Sequence, residues 1–321
     1  MIEENKIRQE KIDNSCDKIN LLIREIHKKI IGQDSLIRDL IIALLSWGHI
    51  LLEWVPWVAK TLTIDSLSKT LNLDFSRVQF TPDLLPSDLI WTEIYNQAKS
   101  NFETKKWPIF TNFLLADEIN RAPAKVQSAL LEAMAEKQVT IWNESFKLDD
   151  PFIVLATQNP IEQSWTYKLP EAELDRFMMR SYVKYPNKEE EIQILENLYN
   201  IENNKLDSIL EKKDILEIRE LASEIHISEN IIKYITDLVF ETRKENKYLS
   251  YWVSPRWSIS LIKASKIVAF LNKRDFVIPE DVKEIAYWVL SHRLVLNYEA
   301  IADNINSDYI IEKILENVKI K

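Results

Sequence analysis

An apolar run, Gly48 to Leu52, leads into the octapeptide Trp54-Val55-Pro56-Trp57-Val58-Ala59-Lys60-Thr61, and no other stretch constrains the fold as tightly. His49-Ile50-Leu51-Leu52 reads as a short buried strand. Lys-Thr follows at the spacing of G-x-x-x-x-G-K-[ST], in which backbone N–H groups curl around phosphate oxygens. Glycine belongs at such turns because the backbone often needs φ > 0 and close approach, with no side chain in the way. Tryptophan is the least suitable occupant. Either the loop cannot admit phosphate, or these letters stand for glycine.

The composition bears on the same choice. The chain has 2 Gly and 10 Trp in 321 residues, where glycine makes up about 7% of an ordinary globular protein. Some bacterial lineages read the UGA codon as glycine. Translating such a gene with UGA as tryptophan would produce both anomalies together. A truly Trp-rich, Gly-poor chain is the rival, and it must account for where the ten Trp fall.

A length of 321 suits two domains with ample core. Net charge −9 and pI ≈ 5.2 argue against a nucleic-acid face spread over the surface. The single Cys16 excludes a disulfide framework or a cysteine metal site and points to a reducing, cytoplasmic setting. Residues 1–19 are polar and charged, so no secretory leader is expected there. The longest apolar stretch, Leu40 to Leu52, is too short to span a bilayer.

Helical spacing of Ile19, Leu21, Leu22, Ile26 and Ile30 predicts a helix within 1–30, and Leu36 to Ser46 a second. A helix is expected from about Thr61 to Leu71, and Phe75, Val78 and Phe80 suggest a strand. Phe113-Leu114-Leu115-Ala116-Asp117-Glu118 is an apolar strand ending in two carboxylates. Gln127 to Ala135 reads as helix, and Gln138 to Phe146 as a hairpin turning near Trp142-Asn143. Phe152 to Asn159 is a third buried strand ending in polar residues. Apolar strands alternating with helices predict a parallel sheet between helical layers, an α/β fold. Asn187 with Glu190 forms a capping box for a helix to about Tyr199, and Pro279-Glu280-Asp281 starts another. From the boundary near 187 to Lys321 the pattern is almost wholly helical.

A phosphate loop, a strand ending Asp-Glu and a later strand ending in Asn form an ATPase set with ATP and Mg²⁺ as cofactors. Lys60 would neutralise phosphate charge, and Thr61 would ligate Mg²⁺. Asp117 would hold Mg²⁺ through water, Glu118 would polarise the attacking water, and Asn159 would orient it. The binding loop is then Trp54, Val55, Pro56, Trp57, Val58, Ala59, Lys60 and Thr61. Each signal is weak alone; the order, each at the end of an apolar strand, carries the reading.

Ile31 to Glu191 resembles the MoxR family of AAA+ ATPases. The likeness rests on Thr81-Pro82-Asp83-Leu84-Leu85-Pro86-Ser87-Asp88, Leu115-Ala116-Asp117-Glu118-Ile119-Asn120-Arg121-Ala122-Pro123 and Gln127 to Met134. It continues in Ala156-Thr157-Gln158-Asn159-Pro160 and Leu169-Pro170-Glu171-Ala172-Glu173-Leu174-Asp175-Arg176-Phe177. The C-terminal half joins through Ser254-Pro255-Arg256 and from Asp281-Val282 to His292-Arg293. Only a short N-terminal extension lies outside. The resemblance implies a P-loop AAA+ core at 1–187 carrying an all-helical lid at 188–321. It implies a homo-oligomer, most simply a hexamer, hydrolysing ATP at subunit interfaces. The output would be chaperone-like remodelling, maturation or metal insertion of a client protein, beside a von Willebrand factor A-type adaptor. Insertions near 82–107 and the hairpin at 138–147 would project from the ring face.

The resemblance also places the tryptophans. Trp54, Trp57, Trp91, Trp107, Trp142, Trp165, Trp252 and Trp47 stand where the family has glycine; Trp257 and Trp288 fit less firmly. The recoded-glycine reading therefore leads. It expects Trp54 and Trp57 to crowd the phosphate cradle, and Trp91, Trp107, Trp142 and Trp165 to be exposed at turns. Ala59 at the last loop glycine is shared with the family. Arg176 is implied as the arginine finger reaching a neighbour's γ-phosphate, and Arg256 as a lid arginine acting in cis. Arg121 is a weaker candidate for a second trans contact. Gln33 is either a turn or an adenine neighbour, His292-Arg293 a helix surface, and Asp149-Asp150 a solvated lead-in. Two other functions stay open: a nucleotide-blind scaffold if the Trp are real, and a ring ATPase that remodels nucleic acid. The acidity and lack of a basic-aromatic strip speak against the latter.

Overall fold

The computed structural model describes residues 2–54, 60–96, 101–106, 108–141, 144–158, 167, 169–183, 185–244, 247–250 and 254–320, without the side chains of 2–5, 54, 60, 91–96, 101–106, 141 and 202. The chain opens with α1 (Ile2–Ile26) and α2 (Asp34–Leu45), then β1 (Ile50–Trp54), α3 (Lys60–Thr70) and β2 (Phe75–Gln79). A short α4 (Pro86–Ile90) precedes an antiparallel pair, β3 (Trp91–Asn96) with β4 (Asn101–Lys106). Next come β5 (Phe113–Asp117), α5 (Ala124–Glu136), the hairpin β6 (Gln138–Ile141) with β7 (Glu144–Lys147), and β8 (Ile153–Gln158). After α6 (Glu171–Leu174) and β9 (Met179–Val183) only helices follow among the described residues. They are α7 (Lys188–Glu196), α8 (Leu198–Asn203), α9 (Lys212–Ser223), α10 (Glu229–Glu241), α11 (Arg256–Leu271), α12 (Pro279–Leu290), α13 (Tyr298–Ala302) and α14 (Ser307–Asn317).

The central sheet has the order β2-β5-β8-β1-β9, every pair parallel. Side chains alternate across a strand, so each strand feeds two cores. Ile50, Leu52, Phe113, Leu115, Ile153 and Leu155 join one buried cluster, which continues through α1, α2 and α3 into lid helices α9 to α12. Leu51, Leu114, Ala116, Val154 and Ala156 face the other, beneath α5. Burying both faces suits apolar runs without polar alternation, the pattern read in the sequence.

The helix at 1–30 forms, with Ile12, Ile19, Leu22 and Ile26 buried. The Asn187–Glu190 capping box is present in both directions, and Pro279 occupies the first turn of α12. The helix expected to reach Tyr199 breaks at Asn197 and resumes as α8. Edge strand β9 lacked a reading in the sequence. The aspartates before β8 are not merely solvated: Asp150 lies 3.6 Å from Arg219 of α9, and Asp149 3.9 Å from Lys212. Among the described residues no helix is long and apolar enough to cross a membrane.

Both glycines stand where a Cβ has no room. At Gly32, φ +69, it would meet the Glu190 carboxylate at 2.7 Å, and at Gly48 the Met178 sulfur at 2.3 Å. Beside Gly48, Trp47 adopts φ 59. A bulky residue there is a genuine outlier, whereas glycine takes it freely. The indole is 41% exposed, with Lys137 Nζ and the Arg219 guanidinium each 4.1 Å from its centre. Trp257 is different: it is buried in α11 as an ordinary core aromatic. Trp288 is half-buried against Tyr182.

Candidate active site

Parallel strands end together, and the carboxyl edge of this sheet collects the described members of the expected set. β1 ends at Trp54, and Lys60 and Thr61 open the first turn of α3, where free N–H groups and the helix dipole favour an anion. β8 ends at Gln158, one residue before Asn159, and β5 ends at Asp117. β8 lies between β1 and β5, so these ends span two strand spacings, roughly 10 Å. Asn159, Val55 to Ala59, Trp107, Trp142, Trp165 and Trp252 lie outside the described residues, as do the side chains of Trp54, Lys60 and Trp91. The crowding expected of Trp54 and Trp57, and the exposure expected of Trp91, Trp107, Trp142 and Trp165, therefore lie outside them too.

Asp117 is 1% exposed and fully engaged. Thr157 Oγ1 donates to its Oδ1 at 2.7 Å, and Arg77 Nη2 from β2 to its Oδ2 at 2.6 Å. The next residue, Glu118, is held in the left-handed region at φ 58. Such a conformation costs of order 1–3 kcal/mol and persists only when neighbours over-determine it. Here the Glu118 N–H donates to Thr157 Oγ1 at 2.8 Å, and its carboxylate accepts from Gln79 Nε2 at 2.9 Å and pairs with Arg121 Nε at 2.8 Å. Thr157, Arg77 and Gln79 were missed in the sequence. The usable signal was a hydroxyl on a buried strand next to β5, which the register Ala116↔Ala156 carries to Asp117. Arg121 pairs with its own Glu118, so the weaker trans reading of it gains nothing from this arrangement.

The donor set fits Mg·ATP. Among the described residues no cluster of three or more His, Cys, Asp or Glu could cage a metal alone. A hydroxyl (Thr61) and a carboxylate (Asp117) suit a magnesium ion that keeps waters and takes its other ligands from phosphates.

The arginines stand elsewhere. Asp175 and Arg176 precede β9, at the amino edge of the sheet, with Ser46 to His49 ahead of β1. Arg256 opens α11 with Nη1 3.5 Å from Asp175 Oδ2, and Ser254 Oγ donates to the same oxygen at 2.9 Å. The two arginines share a cleft of about 250 Å³ between core and lid, with Trp47, Lys263 and Arg293. A five-residue strand separates the edges by about 13 Å. The cis role expected of Arg256 does not follow from this geometry: it sits with Arg176, away from its own phosphate edge. Arg176 itself is exposed and does not rest on Asp175; its Nη1 donates to Leu131 O of α5.

His292 and Arg293 also correct the reading, since both are buried rather than on a helix surface. They form a 3-10 turn after α12. Burial foremost, then the neighbouring Arg293 charge, pushes His292 well below its usual range, so it is neutral. Its Nε2 lies 3.1 Å from Phe177 O and donates. His49, likewise buried, is lowered to about 4 and accepts the Val154 N–H at Nδ1, 3.0 Å. Gln33, ahead of α2, has φ 61 in the left-handed region.

Residues 49–179 match the family described as the ATPase family associated with various cellular activities (AAA), and 242–314 match the AAA lid domain. "Chaperone MoxR1" of Mycobacterium tuberculosis is 44% identical over 304 residues, 92% of this chain and 80% of that protein. The chain belongs to the MoxR family of AAA ATPases. "Uncharacterized protein YeaC" of Bacillus subtilis is 41% identical across 93% of both chains. "Protein MoxR" of Methylorubrum extorquens is 28% identical over 85% of this chain and 86% of its own. A crystal structure from Cytophaga hutchinsonii, described as a candidate ATPase, superposes with TM-score 0.93 at 51% identity, covering 99% of each chain. As a MoxR-family protein the chain carries an AAA domain and an AAA lid domain, with the helical C-terminal region expected of the lid.

Proposed function

We propose that this chain hydrolyses Mg·ATP at the interfaces of a homo-oligomeric ring and uses lid motion to remodel a protein client in a chaperone-like way. The observation that carries the reading is the separation of its machinery between two sheet edges. Lys60, Thr61, Asp117 and Glu118 belong to the carboxyl edge, while Arg176 and Arg256 stand at the amino edge. A site completed by arginines needs a second copy, whose amino edge meets the first copy's carboxyl edge. Head-to-tail contacts of that kind close into rings, here a hexamer.

Lys60 would balance phosphate charge, and Thr61 and Asp117, the latter through water, would hold Mg²⁺. When bound, the ion neutralises charge developing on the phosphates. Glu118 would polarise the attacking water, and Asn159 would help orient it. Arg176, with Arg256, would approach from the neighbouring subunit, a contribution worth orders of magnitude in rate. An adaptor of the von Willebrand factor A type and client maturation or metal insertion complete the reading by resemblance. Cytoplasmic location is inferred from the single cysteine.

The reading depends on glycine at Trp54 and Trp57 in the cell, and the left-handed Trp47 supports glycine at a further such position. The test is to read the ten Trp codons, then assay Mg-dependent ATP hydrolysis of the chain made with the residues they specify. UGA codons and an active glycine form are expected. UGG codons with no nucleotide binding would leave a scaffold.

A further inference from the structure

Arg176 lies between two residues that the lid holds by their backbone. Arg293 Nη2 donates to Phe177 O at 2.6 Å and to Asp175 O at 3.2 Å, and Arg293 Nε lies 3.2 Å from Asp175 Oδ1. The same guanidinium reaches Val289 O at 3.3 Å and Ser260 Oγ at 3.4 Å, which ties it to α12 and α11. His292 adds a second donor to Phe177 O at 3.1 Å. Ser254 Oγ, just ahead of α11, holds the Asp175 carboxylate at 2.9 Å. Every one of these donors comes from the lid, and apart from Val289 O and Ser260 Oγ, which fix Arg293 within the lid, the acceptors belong to Asp175 and Phe177, which flank Arg176 on the core.

Position and burial make the grip selective. Phe177 is buried in the core cluster opposite the lid-facing one, so its carbonyl is the part of it that the lid can hold. Arg293 is 9% exposed and keeps company with Asp175; burial first lowers it to about 10, and the Asp175 charge opposes that. A buried charge left without its partner costs several kcal/mol. The pair therefore separates reluctantly, and a lid that tilts carries residues 175–177 along. Arg176 itself is exposed, and among the described residues its side chain donates to the Leu131 carbonyl, so its direction follows its backbone.

We propose that Arg293, assisted by His292, is a positioning residue that couples lid orientation to Arg176, so that a subunit's lid sets the finger it offers to the next subunit's nucleotide. Neither residue touches nucleotide in this scheme. Resting on the trans role of Arg176, the proposal deepens the function above. Loss of Arg293 should then harm the neighbour's site and spare the subunit's own.

The test uses the full chain with the residues its codons specify. Arg293→Ala should lower kcat by about tenfold or more with KM for ATP within about threefold, since the phosphate edge is untouched. Mixing it with Glu118→Gln subunits, which hydrolyse nothing but offer an intact finger, should raise turnover per Arg293→Ala subunit about fivefold at equal proportions. Arg293→Lys and His292→Gln each keep a donor; both should lose less, and they carry the same measurement if the alanine variant does not fold. Arg176→Ala mixed with Glu118→Gln is the control for the trans reading. Should that control recover while Arg293→Ala does not, or should Arg293→Ala keep full kcat, the coupling is wrong. Should the control fail to recover as well, the trans finger itself is wrong and the coupling falls with it.

Discussion

The Glu118 N–H donates to Thr157 Oγ1 at 2.8 Å, and the same hydroxyl donates to Asp117 Oδ1 at 2.7 Å. One side chain on β8 thus holds the carboxylate of Asp117, at the end of β5, and the backbone of Glu118, the residue after it. It holds Glu118 in a left-handed conformation that the chain would not adopt unaided.

Thr157→Val should therefore leave the half-buried Glu118 N–H and the buried Asp117 carboxylate each with one partner fewer, at a cost of about 1–3 kcal/mol. ATP turnover should fall at least tenfold by the same logic. Thr157→Ser, which keeps the hydroxyl, should retain most of both. Denaturant midpoints and steady-state hydrolysis of the three forms decide it; a fully active Val variant would remove Thr157 from the site.

Glu118→Gln keeps the length and the acceptor for Gln79 and Arg121 but cannot take a proton. Nucleotide binding should persist while hydrolysis falls about 10²–10⁴-fold. Equilibrium binding of a fluorescent ATP analogue beside a phosphate-release assay separates the two. Equal loss of both would make Glu118 structural.

Trp47 is the described tryptophan on which the recoding reading can be tested in the folded chain. Trp47→Ala should be less stable than Trp47→Gly by about 1 kcal/mol, because φ 59 penalises a Cβ. The glycine form forgoes the contacts with Lys137 and Arg219, about 0.5–2 kcal/mol each, and sheds the strain. Urea midpoints of the alanine and glycine forms give the difference directly; equal stability would argue that the position does not call for glycine.

Asp39 of α2 is buried and accepts from Ser181 Oγ at 2.5 Å. Burial raises it from 3.8 to about 7, against the opposing Ser181 hydrogen bond. Between those values the folded chain holds a proton that the unfolded chain has lost. Stability from this group is thus present at the acid end and falls as pH rises, by up to about 1.4 kcal/mol per pH unit. His49, lowered to about 4, has the opposite slope. Asp39→Asn should cancel the Asp39 part alone, gaining on the parent as pH rises from about 5 to about 8. Unfolding curves at both values check the sign.

Much of the scaffold was legible because its signals are local. The strands carrying Ile50 to Leu52, Phe113 to Ala116 and Ile153 to Ala156 are apolar on both faces, and both faces are buried. The capping box at Asn187 and the proline at 279 need only their own turns. Lys60, Thr61, Asp117 and Glu118 stood out because each follows an apolar strand or opens a helix, and parallel strands bring such ends to one edge.

Other features were settled between elements. Arg256 reads like a phosphate-facing lid arginine, yet its place beside Asp175 depends on how α11 packs against the amino edge. His292 and Arg293 read as solvated, because two polar residues after a helix look alike whether water or Phe177 O receives their donors. Thr157 shows no sign in its own strand of the two partners on β5. The chain by itself determined strands β1, β5 and β8, most of the helices and that Lys60, Thr61 and Asp117 follow or end such elements, since these follow from hydrophobic period and capping over a few residues. Only the tertiary structure decided that Thr157 holds the Asp117 carboxylate and the Glu118 backbone and that the arginines gather at the far edge, because hydrogen bonds such as that from Arg293 to Asp175, 118 residues apart in sequence, exist only once the sheet order has closed the distance.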